Sequence, residues 1–175
     1  KVIGMVLKDG LHETEMLNMS LLITALKVFF LSGFIMATIG SCLGIIRLLG
    51  NLKLFEFIKP ELSKFDRLTL TRVKKSFYSH NHWITMAREI WNLNESARQV
   101  SVANDFGNLP IINIKASCFF KRSLFNFFLP LNSVDKLRDR MHDRLMNLST
   151  NCHQIEATKS SHFVWIDEPE LIIKA

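Results

Sequence analysis

The chain opens on a short apolar run, Val2 to Leu7, that reads as a buried strand. Gly10 and a polar stretch through Glu15 end it. A long apolar region then runs from Met16 to Phe57. Within it, Val28 to Ile46 is 19 residues without a charge, long enough for a membrane span. Gly33, Gly40 and Gly44 lower its helix propensity, and Ser32, Thr38 and Ser41 add polarity. Lys27 and Arg47 flank it on both sides, so no orientation bias is present. The expectation is a buried or interface-seeking helix pair, broken near Gly40. From Pro60 to about Val102 the pattern turns charged and helical, with Ile84, Ala87, Ile90, Trp91 and Ala97 near one stripe. Asn104 to Asn108 is a turn cluster.

A second buried strand is expected at Leu109 to Ile114, and an aromatic connection at Cys118 to Leu131. With Asn132 or Ser133 as N-cap, a helix should run to about Leu148. Val134, Leu137, Met141, Leu145 and Leu148 mark its buried face. Asp135, Lys136, Arg138, Asp139, Arg140, Asp143 and Arg144 are read as its solvated side. A third strand covers Gln154 to Ala157, and Asp167 is placed to cap a last helix opened by Glu168-Pro169. Strand, helix, strand, helix implies a parallel α/β sheet with right-handed crossovers. The large helical insertion after the first strand suits a lid.

Composition changes this picture little. The chain has 175 residues, 48% of them hydrophobic, enough for one core or part of a larger one. Both ends lie in apolar runs, whereas domain ends are usually polar, so the expectation is a piece of a longer chain. Lys and Arg number 22 and Asp and Glu 16, a net charge of +6. The basic residues are scattered. Their densest group, Lys64, Arg67, Arg72, Lys74 and Lys75, is read as a solvated helix face, and no nucleic-acid partner is expected. Cys42, Cys118 and Cys152 have neither disulfide nor zinc spacing. His80 and His82 are two apart and expected at the surface, and His12 and His142 match no pattern. No metal or cofactor is implied. The compartment is open between cytoplasmic and membrane-associated.

In open parallel sheets, ligands bind beyond the carboxyl ends of the strands. That places Lys8-Asp9-Gly10, Ala116-Ser117-Cys118 and Ser160-Ser161-His162 together. An acid and a histidine on neighbouring strand ends can orient an imidazole, whose other nitrogen then takes a proton from a nucleophile. Asp9 also has a plain reading, as a turn-forming aspartate before Gly10.

The segment Ser160-Ser161-His162-Phe163-Val164-Trp165-Ile166-Asp167-Glu168-Pro169-Glu170-Leu171-Ile172 resembles the C-terminal signature of α/β-hydrolases. Leu109-Pro110-Ile111-Ile112 resembles the strand before it, and Gly4 to Asp9 the strand leading into the cap. The resemblance implies three parts. Residues 1–15 are a core strand and its loop, 16–108 a helical cap, and 109–175 the C-terminal core carrying the histidine. It implies a Ser-His-acid hydrolase of esters or similar small apolar substrates, with His162 as general base. The commonest family position for the acid falls at Ala116 to Arg122, where no carboxylate stands. Some members place the acid after the preceding strand, which here is Asp9. Asp135 fits the first turn of a helix instead.

The nucleophile elbow, G-x-S-x-G, is missing. In Gly40-Ser41-Cys42-Leu43-Gly44 the serine stands one place early, inside an apolar run. In the family the elbow precedes the first strand seen here, so this chain alone is expected to be inactive. The alternative is a non-catalytic membrane-associated or interaction protein retaining the fold, touching a membrane surface through 28–46.

Overall fold

A computed structural model describes residues 2–58, 60–102, 105–121 and 130–175. The architecture is mixed α/β, and the chain divides into two compact units. One comprises residues 1–18 and 95–175, the other residues 19–94.

The first unit is built on a parallel sheet in the order β1 (Met5–Lys8), β2 (Ile111–Ala116), β3 (Cys152–Ala157). Met5 pairs with Ile111, and Ile111 with Cys152. β2 and β3 start and end within two residues of the expected positions, whereas β1 starts three residues later than the expected Val2 and ends one later. Parallel neighbours need a crossover, and α8 (Leu131–Leu145) supplies it between β2 and β3. Alternation along β2 sends Ile111 to a cluster with Leu145 and Leu148, joined by Met5 and Leu7. It sends Ile114 and Ala116 to a second cluster with Ala157 and Val164, covered by Leu171 and Ile172. Both faces of the sheet are therefore packed, and four of the six β2 residues are apolar, with Asn113 and Lys115 between them. The second cluster draws on α9 (Val164–Asp167) and α10 (Pro169–Lys174). Asp167 ends α9 and caps nothing; its carboxylate accepts from the N–H and hydroxyl of Ser161 instead. Glu168 precedes Pro169 at the α10 start, and its carboxylate accepts from the Lys159 N–H.

The expected buried stripe of α8 is present: Val134, Leu137, Met141 and Leu145 are buried, and Leu148 just beyond it. Its first residue is Leu131, preceded by Pro130, so neither Asn132 nor Ser133 is the N-cap. The residues read as its solvated side are not all solvated: Arg138 is buried at the edge of the same stripe. The short α1 (Glu13–Leu17) follows β1 and is capped by His12, whose Nδ1 accepts from the Thr14 N–H. Residues 122–129 of the aromatic connection and 103–104 of the turn cluster lie outside the described residues.

The second unit contains α2 (Leu21–Cys42), α3 (Ile45–Asn51), α4 (Leu54–Ile58), a 3-10 turn (Pro60–Lys64), α5 (Arg67–Phe77) and α6 (His80–Trp91). Ser20 caps α2 and Asp66 caps α5 through their side chains. The helix runs unbroken through Gly33 and Gly40. The break falls instead at Gly44, in the left-handed region at φ 76°. Gly40 is buried inside the helix beside Ile46, where a Cβ would make ordinary contact at 3.5 Å. The helix pair is not buried either: only Ile23 and Gly40 of α2 are. It packs against α6, with Phe34 on Trp83 at 6.1 Å. Lys27 donates to the Trp91 carbonyl at 3.1 Å and to Asn94 at 2.6 Å, binding α2 to the C-terminus of α6. Further along, α7 (Leu93–Ser101) leads back to the first unit.

Gly33 and Gly44 should respond oppositely to one substitution, since a Cβ meets nothing within 4 Å at either. Gly33→Ala, in helix interior, should stabilise by about 1 kcal/mol. Gly44→Ala should destabilise by about 1–2 kcal/mol, because an L side chain is strained at that φ. Urea midpoints measure both, and shifts of the same sign would contradict the placement of the break.

Candidate functional site

The site is organised on Asp9, the first residue after β1. Its N–H continues the ladder to the Ile114 carbonyl at 2.8 Å. Its φ of 45° is left-handed, a conformation that aspartate tolerates better than most residues. That turn drives the side chain inward, where the residue is 3% exposed. A buried carboxylate must be met by donors. Oδ1 accepts from the Ala116 N–H at 3.1 Å and Arg138 Nη1 at 3.0 Å, and lies 3.0 Å from His142 Nε2. Oδ2 lies 2.8 Å from Nδ1 of His162. Burial pushes the carboxyl up. Hydrogen bonds with His142 and His162, the Arg138 guanidinium and the Ala116 N–H outweigh it, holding the group far below the usual carboxylate range.

His162 is presented by the loop after β3. Ser117 donates to the Ser160 carbonyl through both N–H and hydroxyl, at 3.1 and 2.7 Å. The His162 N–H reaches the Phe119 carbonyl at 3.3 Å. The Phe119 N–H in turn donates to Asp135 at 2.8 Å. Asp135 is thus the fifth residue of α8, not part of its first turn, and it fixes the loop after β2. Rings of Phe119, Phe163 and Trp165 stand 5.3, 5.7 and 6.0 Å from the imidazole, and Lys8 lies 3.7 Å over Trp165. The His162 side chain is 33% exposed. With Nδ1 donating to Asp9, the neutral ring carries its lone pair on Nε2, which can accept a proton.

The two residues singled out from sequence, Asp9 and His162, are therefore in direct contact. The acidic gap after β2 is real, and Lys115 at that strand end pairs with Asp139 at 2.9 Å. Sequence reading missed Arg138, His142 and Asn113. His142 is fully buried, with Nδ1 3.0 Å from Asn113 Oδ1, and Asn113 donates to Gln154 at 3.3 Å. A signal existed: Arg138 and His142 stand four and eight residues after Val134, on the buried stripe.

Other candidates have structural roles. Ser41 donates to the Tyr78 carbonyl at 2.7 Å within helical context. His82 contacts Ser76 and the rings of Phe77 and Trp83, and burial pushes it down. Lys74 pairs with Glu56. The three cysteines are free, and no metal-ligand cluster is present among the described residues. Comparison with family models, curated proteins and solved structures brings out no match to this chain.

Asp9→Asn should destabilise by about 3–5 kcal/mol near neutral pH, because it strands the buried Arg138 guanidinium. The sign of the pH effect follows from the lowered carboxyl. Its contribution is present above the ordinary value of 3.8 and is lost as pH falls through the lower folded value. Urea unfolding of both proteins should show a constant gap above about pH 5 that narrows below about pH 4. A gap that widens in acid would refute the ion pair.

Proposed function

We propose that this chain is the C-terminal part of an α/β-hydrolase, with Asp9 and His162 as the acid and base of a Ser-His-acid hydrolase of esters or similar small apolar substrates. The single observation that carries the reading is the 2.8 Å contact between Asp9 Oδ2 and His162 Nδ1 beyond the carboxyl ends of parallel strands. The aromatic rings around His162 suit an apolar acyl or alkyl group. In this reading the nucleophile belongs to a part of the protein upstream of this chain, and residues 16–108 are the helical insertion of the family.

In that reading, Nε2 of His162 removes the proton of the nucleophile as its oxygen attacks the ester carbonyl. Asp9 stabilises the imidazolium that forms. The same proton then passes to the departing alkoxide, and a water repeats the sequence to release the acid. Arg138, His142 and the Ala116 N–H hold Oδ1, so Oδ2 stays directed at Nδ1.

The exposed apolar side of α2 favours a second reading, a non-catalytic interaction protein that keeps the fold. An assay separates the two. The complete parent chain should hydrolyse short-chain nitrophenyl esters. His162→Ala should lower kcat by about 100-fold or more while leaving the fold intact, since the side chain is partly exposed. Equal rates in both proteins would remove His162 from the chemistry, and no turnover in either would favour the second reading.

A further inference from the structure

The side of α2 turned to solvent has the wrong polarity for a helix on a water-facing surface. Leu21, Val28, Phe29, Met36, Ile39 and Leu43 are all exposed. At 3.6 residues per turn they fall within about 100° of arc, along a helix about 33 Å long. A helix that packs on one side ordinarily carries charged residues on this arc. Here none is charged. Only 6% of the most apolar 18-residue window is buried, and the mean hydropathy of that window is 2.0. Between α2 and α6 lies an apolar groove of about 330 Å3, with Leu31, Ile35, Ile84 and Ala87 in its walls and Trp91 at its margin, 67% exposed.

Charge is distributed in a matching way. Of the residues in 19–94, ten are Lys or Arg and four are Asp or Glu. The remainder of the chain holds twelve of each, so this unit carries the whole formal charge of +6. Arg47 and Lys53, among the exposed apolar Leu48 and Leu52 just after α2, are exposed themselves. Exposed apolar patches of this extent mark interaction sites, and a concentrated positive charge selects an anionic one.

We propose that residues 19–94 dock on an anionic lipid bilayer, with the outer face of α2 seated in the headgroup and upper acyl region. The helix lies along the surface, because α6 covers its other side with a polar helix bearing His80, Asn81, Arg88 and Glu89. Lys27 fastens the two together. The pair is thus amphipathic as a body although α2 alone is apolar nearly all round. Trp91 fits the interfacial level that indole rings prefer. This docking is independent of His162 chemistry.

The test uses the 175-residue chain and sedimentation with phosphatidylcholine vesicles, with or without phosphatidylserine. Binding to the phosphatidylserine vesicles should be at least ~10-fold tighter and should weaken as salt is raised. Met36→Glu with Ile39→Glu should reduce binding about 10-fold or more without loss of helicity, since both side chains are exposed. Arg47→Glu with Lys53→Glu should erase the preference for phosphatidylserine. Undiminished binding of the Met36/Ile39 variant, or equal binding to both vesicles, would overturn the proposal. So would a dimer in light scattering that binds neither vesicle, which would make a second copy the occupant. His162→Ala should bind vesicles as wild type does, so failure of this docking and failure of the hydrolase reading are read separately.

Discussion

The sheet-bearing unit depends on one buried carboxylate. Asp9 sits at 3% exposure, where an ionised group is tolerable only if its lone pairs are met. Four partners meet them, from β2, from α8 and from the loop after β3. They come from three separate stretches of chain, Arg138 and His142 both standing on α8. The carboxylate therefore does more than accept hydrogen bonds: it fixes how α8 and the His162 loop stand relative to the strand ends. Arg138 is bound to the same constraint. Its Nε is buried without a hydrogen-bond partner among the described residues, so its charge is answered chiefly through Asp9.

That arrangement divides labour between the two carboxylate oxygens. Oδ1 is saturated by structural donors, while Oδ2 is left to one imidazole. An imidazole oriented in this way has a defined tautomer, and its second nitrogen sits on a ring that is one-third exposed. Geometry of this kind is what general-base chemistry requires, and it is the ground on which the hydrolase reading stands. The same ion pairs also hold this corner of the unit together.

The helical unit follows a different logic. Its interior is aromatic: Phe55, Phe77, Tyr78 and Trp83 interlock, and Gly50 is required because any Cβ there would collide with the Tyr78 ring. This small core engages one side of α2. The other side is left apolar and exposed, in the unit that also holds the surplus of basic residues. Core and docking face are thus opposite sides of one helix.

Much of this was legible along the chain. Buried strands such as Ile111 to Ala116 announce themselves because both faces are packed, leaving a mostly apolar run interrupted by Asn113 and Lys115. The i, i+3, i+7 spacing of Val134, Leu137 and Met141 located α8 for the same reason, local periodicity matching the face that a core must cover. The turn residues Asp9 and His162 were identifiable from their places after strands. The spacing of Arg138 and His142 from Val134 hinted at an inward position, but charge on a helix is usually solvated, and the partner that holds them inward lies 129 and 133 positions away. Nor did the sequence show that α2 passes through Gly40, since the propensity cost of one glycine is small against a helix of 22 residues that packs on α6. Local pattern determined the elements and the strand ends. Only the tertiary structure decided which charges are buried, because burial of a charge is settled by partners far apart in the chain.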